Sequence, residues 1–158
     1  MIRKKIVILG DFAVGKTSLI RRYVDGSFDD KYLTTIGVKI SKKLVTIDEV
    51  DTELIIWDIE GKTPSKSIPS SYYKGASGAI FVTSVNRSDT LISLKSHIDT
   101  FLHINPKAKY LIAHNKADLL DDAQKDEFIL NSYSFLTSAK SSNNVEMLFS
   151  KITRDILL

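Results

Sequence analysis

Short, uninterrupted apolar runs alternate along this chain with longer segments whose apolar residues recur at helical spacing. Ile6-Val7-Ile8-Leu9 is one such run. Four apolar residues with no polar alternation read as a strand buried on both faces. The same pattern predicts strands at residues 79–82 and 110–113 and a last short one at 134–136. Residues 38–47 and 53–57 make two more, joined by the polar stretch Asp48-Glu49-Val50-Asp51. A connection that short makes them the antiparallel pair. Helical spacing covers 17–24, 90–104, 121–130 and 145–157. In the last of these, Val145, Leu148, Phe149, Ile152 and Ile156 fall on one face. The order predicts an α/β chain of three layers, with a six-stranded, mostly parallel sheet and about five helices. No repeat or low-complexity stretch interrupts it, so residues 1–158 are expected to form a single domain.

Composition narrows what such a domain does. The net charge of +3 is too mild to imply nucleic acid, and the cluster Arg3-Lys4-Lys5 reads as a solvated strand entrance. The sequence has no cysteine. Disulfides, cysteine zinc sites, thiol nucleophiles, prenylation and palmitoylation are excluded for these residues. No apolar run approaches the roughly 18 residues of a membrane span, and the run at Ile6 is too short for a signal peptide. A cytoplasmic chain is the expectation.

The first candidate chemistry follows the first strand. Gly10-Asp11-Phe12-Ala13-Val14-Gly15-Lys16-Thr17 fits G-x-x-x-x-G-K-[ST], between a predicted strand and a predicted helix. Successive backbone N–H groups from Asp11 to Ser18 and the positive end of the helix dipole make a cradle for phosphate oxygens. Lys16 supplies a point charge to the outer phosphates, and the Thr17 hydroxyl suits Mg²⁺. This loop alone does not separate ATP from GTP.

A second motif makes that choice. The strand at 110–113 runs through His114 into Asn115-Lys116-Ala117-Asp118, and Ser138-Ala139-Lys140 follows later. These two elements, in this order behind the phosphate loop, resemble the guanine-recognition motifs of Ras-superfamily GTPases. A carboxylate at Asp118 accepts from both N1–H and the 2-amino group of guanine. Adenine offers no such pair and would leave the carboxylate unsatisfied, at about 1.5–3 kcal/mol per lost charged hydrogen bond. The resemblance implies that Asn115 bonds near the base and holds neighbouring loops, and that the Lys116 stem lies along the ring. It also implies that the Ala139 N–H donates to guanine O6 and that Phe28 lies edge-on to the base. The fold it implies is the P-loop NTPase domain of small G proteins, with GTP/GDP and Mg²⁺ as cofactors.

Nucleotide-sensing segments are implied in the same way. Thr35, in Thr34-Thr35-Ile36-Gly37, would ligate Mg²⁺ and bond the γ-phosphate only in the GTP state. Asp58, ending Leu54-Ile55-Ile56-Trp57, would hold Mg²⁺ through water, and the Gly61 N–H would touch the γ-phosphate. Loss of that phosphate would loosen residues 30–40 and 60–74. Ile36-Gly37-Val38-Lys39-Ile40 and Ser71-Tyr72-Tyr73-Lys74-Gly75 resemble the Rab branch. Effector, exchange-factor and activating proteins would then dock on the two switches and on Trp57, unless Trp57 is a core residue. The resemblance further implies vesicle trafficking and peripheral membrane attachment through partners.

The departures gather where hydrolysis occurs. The family's Asp-Thr-Ala-Gly-Gln is here Asp58-Ile59-Glu60-Gly61-Lys62. A glutamine amide accepts from the attacking water and donates to the phosphoryl group, whereas the Lys62 ammonium only donates. Phe12 puts bulk, and Glu60 negative charge, beside the γ-phosphate. Lys62, Gly61, Thr35 and Lys16 remain the candidate catalytic set, with intrinsic turnover expected below the family's own slow rate, on the order of 10⁻⁴ s⁻¹. Rescue in trans by an activating protein carrying its own glutamine and arginine is the alternative for turnover. The alternative for function is a pseudo-GTPase scaffold with permanently bound nucleotide. The stretch from Asp118 to Thr137 is shorter than in typical Rabs. The chain also lacks the tail of prenylated cysteines that Rabs carry, so either it continues beyond Leu158 or membranes are reached by another route.

Overall fold

Strand β1 (Ile2–Gly10) is the axis of the sheet. In the computed structural model, which describes residues 1–28, 37–59, 61 and 68–158, the strand order is β2-β3-β1-β4-β5-β6. The remaining strands are β2 (Val38–Ile47), β3 (Val50–Ile59), β4 (Gly78–Ser84), β5 (Lys109–Asn115) and β6 (Ser134–Leu136). Every neighbouring pair is parallel except β2 with β3. Five α-helices lie among the described residues: α1 (Lys16–Asp25), α2 (Ser88–Ile92), α3 (Leu94–Ile104), α4 (Asp122–Glu127) and α5 (Val145–Leu157). The expected α/β fold with a six-stranded, mostly parallel sheet is the one observed.

Alternation along the central strands builds the three layers. Ile6 and Ile8 of β1, Ile80 and Val82 of β4, and Leu111 and Ala113 of β5 face α1 and α5, packing on Leu19, Tyr23, Leu148 and Ile152. Val7, Leu9, Ala79, Phe81 and Ile112, the residues between them, face α3 and its Phe101. Phe81 and Phe101 are fully buried, with ring centroids 5.8 Å apart at 78°. Each such side chain contributes about 1.5–3 kcal/mol by burial, and truncating Phe101 to alanine would cost about 3–5 kcal/mol.

Several boundaries differ from the pattern-based expectation. The β2–β3 turn is only Asp48-Glu49, both at positive φ (51° and 68°), the geometry a two-residue hairpin demands. Val50 and Asp51, expected in the connection, already pair with Ile47 and Thr46. The helix expected at 90–104 starts earlier and divides at Ser93, whose hydroxyl bonds back to the Thr90 carbonyl (3.3 Å) and out to Asp11. Such side-chain back-bonding bends a helix. The helix expected at 121–130 ends at Glu127, because Phe128 turns extended.

All of this aligns the carboxyl ends of four parallel strands. Register pairs Ile8 with Asp58, Gly10 with Val82, and Ser84 with Asn115. The chain lays strands to one side of β1 and then to the other, and open α/β sheets take their ligands at such a point of reversal.

Candidate functional site

Gly10 leaves β1 with no room for a side chain, since a Cβ there would lie 2.4 Å from the Val82 carbonyl oxygen. The loop that follows ends at Gly15, φ 99°, where a Cβ would lie 2.4 Å from the Asn115 amide nitrogen. Gly15 is also the N-cap of α1, and it offers the helix no capping side chain. The positive end of the α1 dipole faces the loop at this point. Lys16 is buried and folds back over the loop, donating to the Gly10 (3.3 Å) and Asp11 (3.0 Å) carbonyls. Ser18 lies in the first turn of the same helix.

The loop is held from outside at four consecutive residues. Asn115 Nδ2 donates to the Val14 carbonyl at 3.0 Å, and Lys116 Nζ donates to the Ala13 carbonyl at 2.9 Å. Arg87 Nη1 donates to the Phe12 carbonyl at 2.6 Å. Asp11 is held by its own side chain, which accepts from Ser93 and lies 2.8 Å from His97 Nε2. Lys116 sits at φ 68° and its pKa lies below the ordinary lysine value. Burial is the main cause, followed by the Arg87 charge, with Asp118 opposing.

Beside the loop, the Thr17 hydroxyl donates to Asp58 Oδ2 at 2.7 Å. A hydroxyl and a carboxylate at that spacing are hard oxygen donors of the kind Mg²⁺ prefers. Gly61 packs directly on the loop, for a Cβ there would lie 2.5 Å from Phe12 Cα and 2.7 Å from Phe12 N. The Phe12 side keeps 43% of its surface exposed. Thr35 and Lys62, with Glu60, lie outside the described residues.

The base-reading elements form one connected group. Asn115 also accepts from the Thr137 hydroxyl (3.2 Å), and the Ala117 N–H donates to the Thr137 carbonyl (2.9 Å). Asp118 is exposed, and its Oδ1 accepts from the Ser138 hydroxyl at 2.7 Å. Ser138 Oγ in turn accepts from the Ser141 N–H. Motif reading missed the part of Arg22, which donates through Nε to the Ala139 carbonyl and through Nη2 to the Lys140 carbonyl, both at 2.8 Å. Its guanidinium carbon stands 5.9 Å from the Phe28 ring centre. Arg87, Ser93 and His97 were missed too. No local pattern marks any of the four, because each meets its partner only through tertiary packing.

Trp57 is neither fully buried nor free. It lies half-buried beneath Lys5 Nζ, 3.7 Å from the ring centre, and 6.3 Å from Tyr72. Ile40, directly across the ladder from it, is 47% exposed.

Comparison with known proteins matches the Ras family model to residues 5–158. The chain belongs to the Ras family, on its Rab branch. It is similar to the Ras-related protein Rab-1C of Dictyostelium discoideum, at 34% identity over 96% of this chain and 80% of that protein. Similarity to the GTP-binding protein YPTM1 of Zea mays is also 34%, over 92% and 74%. The Ras-related protein Rab-13 of Canis lupus familiaris is 33% identical over 98% and 80%. In a Ras-family chain, the loop from Gly10 to Thr17 and the segment from Asn115 to Asp118 stand at one end of the sheet. Among the described residues no helix is long and apolar enough to cross a membrane.

Proposed function

We propose that this chain is a single-domain guanine-nucleotide switch that takes GTP or GDP in the loop from Gly10 to Thr17. One observation carries the reading. The Asp118 carboxylate is oriented by Ser138, while the residues just before it, Asn115 and Lys116, grip the phosphate loop itself. Base selection and phosphate binding are therefore built on one rigid connection. Phe28 and the Ala139–Lys140 turn, braced by Arg22, border the same region. Calorimetric titration tests it. GTP and GDP bind and ATP does not; equal binding of ATP would overturn the assignment of Asp118.

Thr17 and Asp58 would hold Mg²⁺, with Thr35 as the third expected ligand. When bound, the ion offsets phosphate charge. Lys16 brings a buried ammonium to the same end of the loop, and the α1 N-terminus contributes the positive end of its helix dipole.

Hydrolysis by the isolated chain is slow in this reading. Lys62 has no acceptor with which to orient water, and the backbone of Phe12 already presses on Gly61. A single-turnover assay gives little unaided GTP cleavage, and Lys62→Gln combined with Phe12→Ser raises the rate. Brisk cleavage by the unaltered chain would sink this part. Exchange of bound GDP for GTP separates a switch from a scaffold with permanently held nucleotide.

Partner proteins are read as docking on the apolar surface of Ile40, Trp57 and Tyr72 beside the switches, which fits a role in vesicle trafficking with attachment to membranes through those partners.

A further inference from the structure

The phosphate loop contains a carboxylate, and an anion-binding loop is an adverse place for one. Asp11 is the first residue after Gly10, and its backbone carbonyl is the one Lys16 bonds at 3.0 Å. A negative side chain at that point repels phosphate oxygens unless it is turned away and compensated. The structure does both. Oδ1 lies 2.8 Å from His97 Nε2 and Oδ2 accepts from the Ser93 hydroxyl, so each carboxylate oxygen has its own donor. His97 is buried and Asp11 largely so, with side-chain exposures of 7% and 17%. An oxygen of an ionised carboxylate only accepts, so in this bond the donor is the Nε2–H tautomer of His97.

We propose that His97, with Ser93, is a positioning residue for the phosphate loop. It pins the Asp11 carboxylate outward and so sets how long guanine nucleotide stays bound. This inference rests on the nucleotide-binding reading above, and it assigns to α3 a function that no phosphate-loop or base-reading motif contains. The contact spans 86 positions of sequence and, with the Ser93 bond, ties the phosphate loop to the start of α3. With His97 gone, Asp11 keeps only the Ser93 hydroxyl, and its freed oxygen can turn toward the site where phosphate binds.

The test is a double-mutant cycle read by release of a fluorescent GDP analogue from the full chain. His97→Phe keeps a ring but removes the donor, and release is expected to quicken about tenfold, equivalent to about 1.4 kcal/mol. His97→Gln restores an N–H donor and should recover most of the loss. Placed in an Asp11→Asn background, where no charge needs restraint, His97→Phe should change release by less than about twofold. Ser93→Ala should show a smaller acceleration, equally suppressed by Asp11→Asn, and it stands in if His97→Phe does not fold. Additive effects of the His97 and Asp11 changes would overturn the proposal, since a merely structural histidine acts whether or not the carboxylate is charged. Unaltered release in His97→Phe would overturn it as well, while leaving nucleotide binding intact. Failure of the unaltered chain to bind the analogue would remove this inference and the function it rests on together.

Discussion

Asn115→Ala is the sharpest single perturbation of the site. The residue is 2% exposed, and its side chain makes two hydrogen bonds with different destinations. Nδ2 donates to the Val14 carbonyl of the phosphate loop at 3.0 Å, and Oδ1 accepts from Thr137 at the end of β6 at 3.2 Å. Truncation strands both partners, and a buried polar group without a partner costs about 1–3 kcal/mol. The sum is about 2–6 kcal/mol, divided between folding and nucleotide. The Thr137 share is lost whether or not nucleotide is present, so it lowers stability. The Val14 share frees the loop, so about 1–3 kcal/mol should emerge as release of GDP roughly tenfold to a hundredfold faster. Thr137→Val removes the first bond and spares the second. It should therefore destabilise the chain while changing release little. Denaturant melts and fluorescent GDP release on the two variants read these shares separately. The reasoning fails if Asn115→Ala is destabilised yet releases GDP at the normal rate, because the loop would then not depend on the Val14 bond.

Two further outcomes follow from the same geometry. Arg22→Ala should weaken guanine nucleotide binding about tenfold by loosening the Ala139–Lys140 turn, and Arg22→Lys should recover little, because an ammonium cannot span both carbonyls as the guanidinium does; equal affinity in all three forms would refute the brace. His114 is buried, bonded to Thr83 at 2.7 Å, and burial pushes its pKa from 6.5 down to about 4. Between those values the unfolded chain binds the proton and the folded chain does not, so the stability is complete above pH 6.5 and falls as pH drops toward 4. At pH 5 the loss from this group is about 2 kcal/mol. Urea melts at pH 7.5 and pH 5 should show that loss in the natural sequence and lack it in His114→Gln.

The layers of the fold were legible because they rest on local apolar runs. Ile6 to Leu9 announces a doubly buried strand without reference to any other residue, and Val145 to Ile156 announces one helical face. The phosphate loop and Asn115 to Asp118 were legible for a related reason, since their chemistry needs fixed residue types at fixed spacing. Helix ends were not. The division at Ser93 depends on a hydroxyl reaching Asp11, 82 residues away, which no window along the chain contains. Val50 and Asp51 look like turn residues because they are polar or stand beside polar neighbours, yet the I′ geometry of Asp48-Glu49 leaves them paired in the ladder. Trp57 shows the limit from another side. Its sequence setting admits core or surface, and the structure places it at the boundary, with one contact to a cation and one to a tyrosine.

The separation of these contacts bears on how the chain can carry so altered a hydrolytic motif. The grip on the loop comes from Asn115, Lys116, Arg87, Ser93 and His97, all on the β4–β5 side of β1 or beyond it. In the sequence Glu60 and Lys62 come just after β3, the strand on the other side of β1. Among the described residues, Gly61 meets the loop at the Phe12 backbone and Asp58 of β3 meets it at the Thr17 hydroxyl. None of these loop-holding bonds uses residue 60 or 62, so in the proposed reading turnover can fall without loss of nucleotide retention. Phe12 is different, because its carbonyl belongs to the Arg87 clamp while its side chain is still half open to solvent. In the proposed reading, retention of nucleotide and rate of cleavage are set by different residues, and Phe12 is a position where a change touches both.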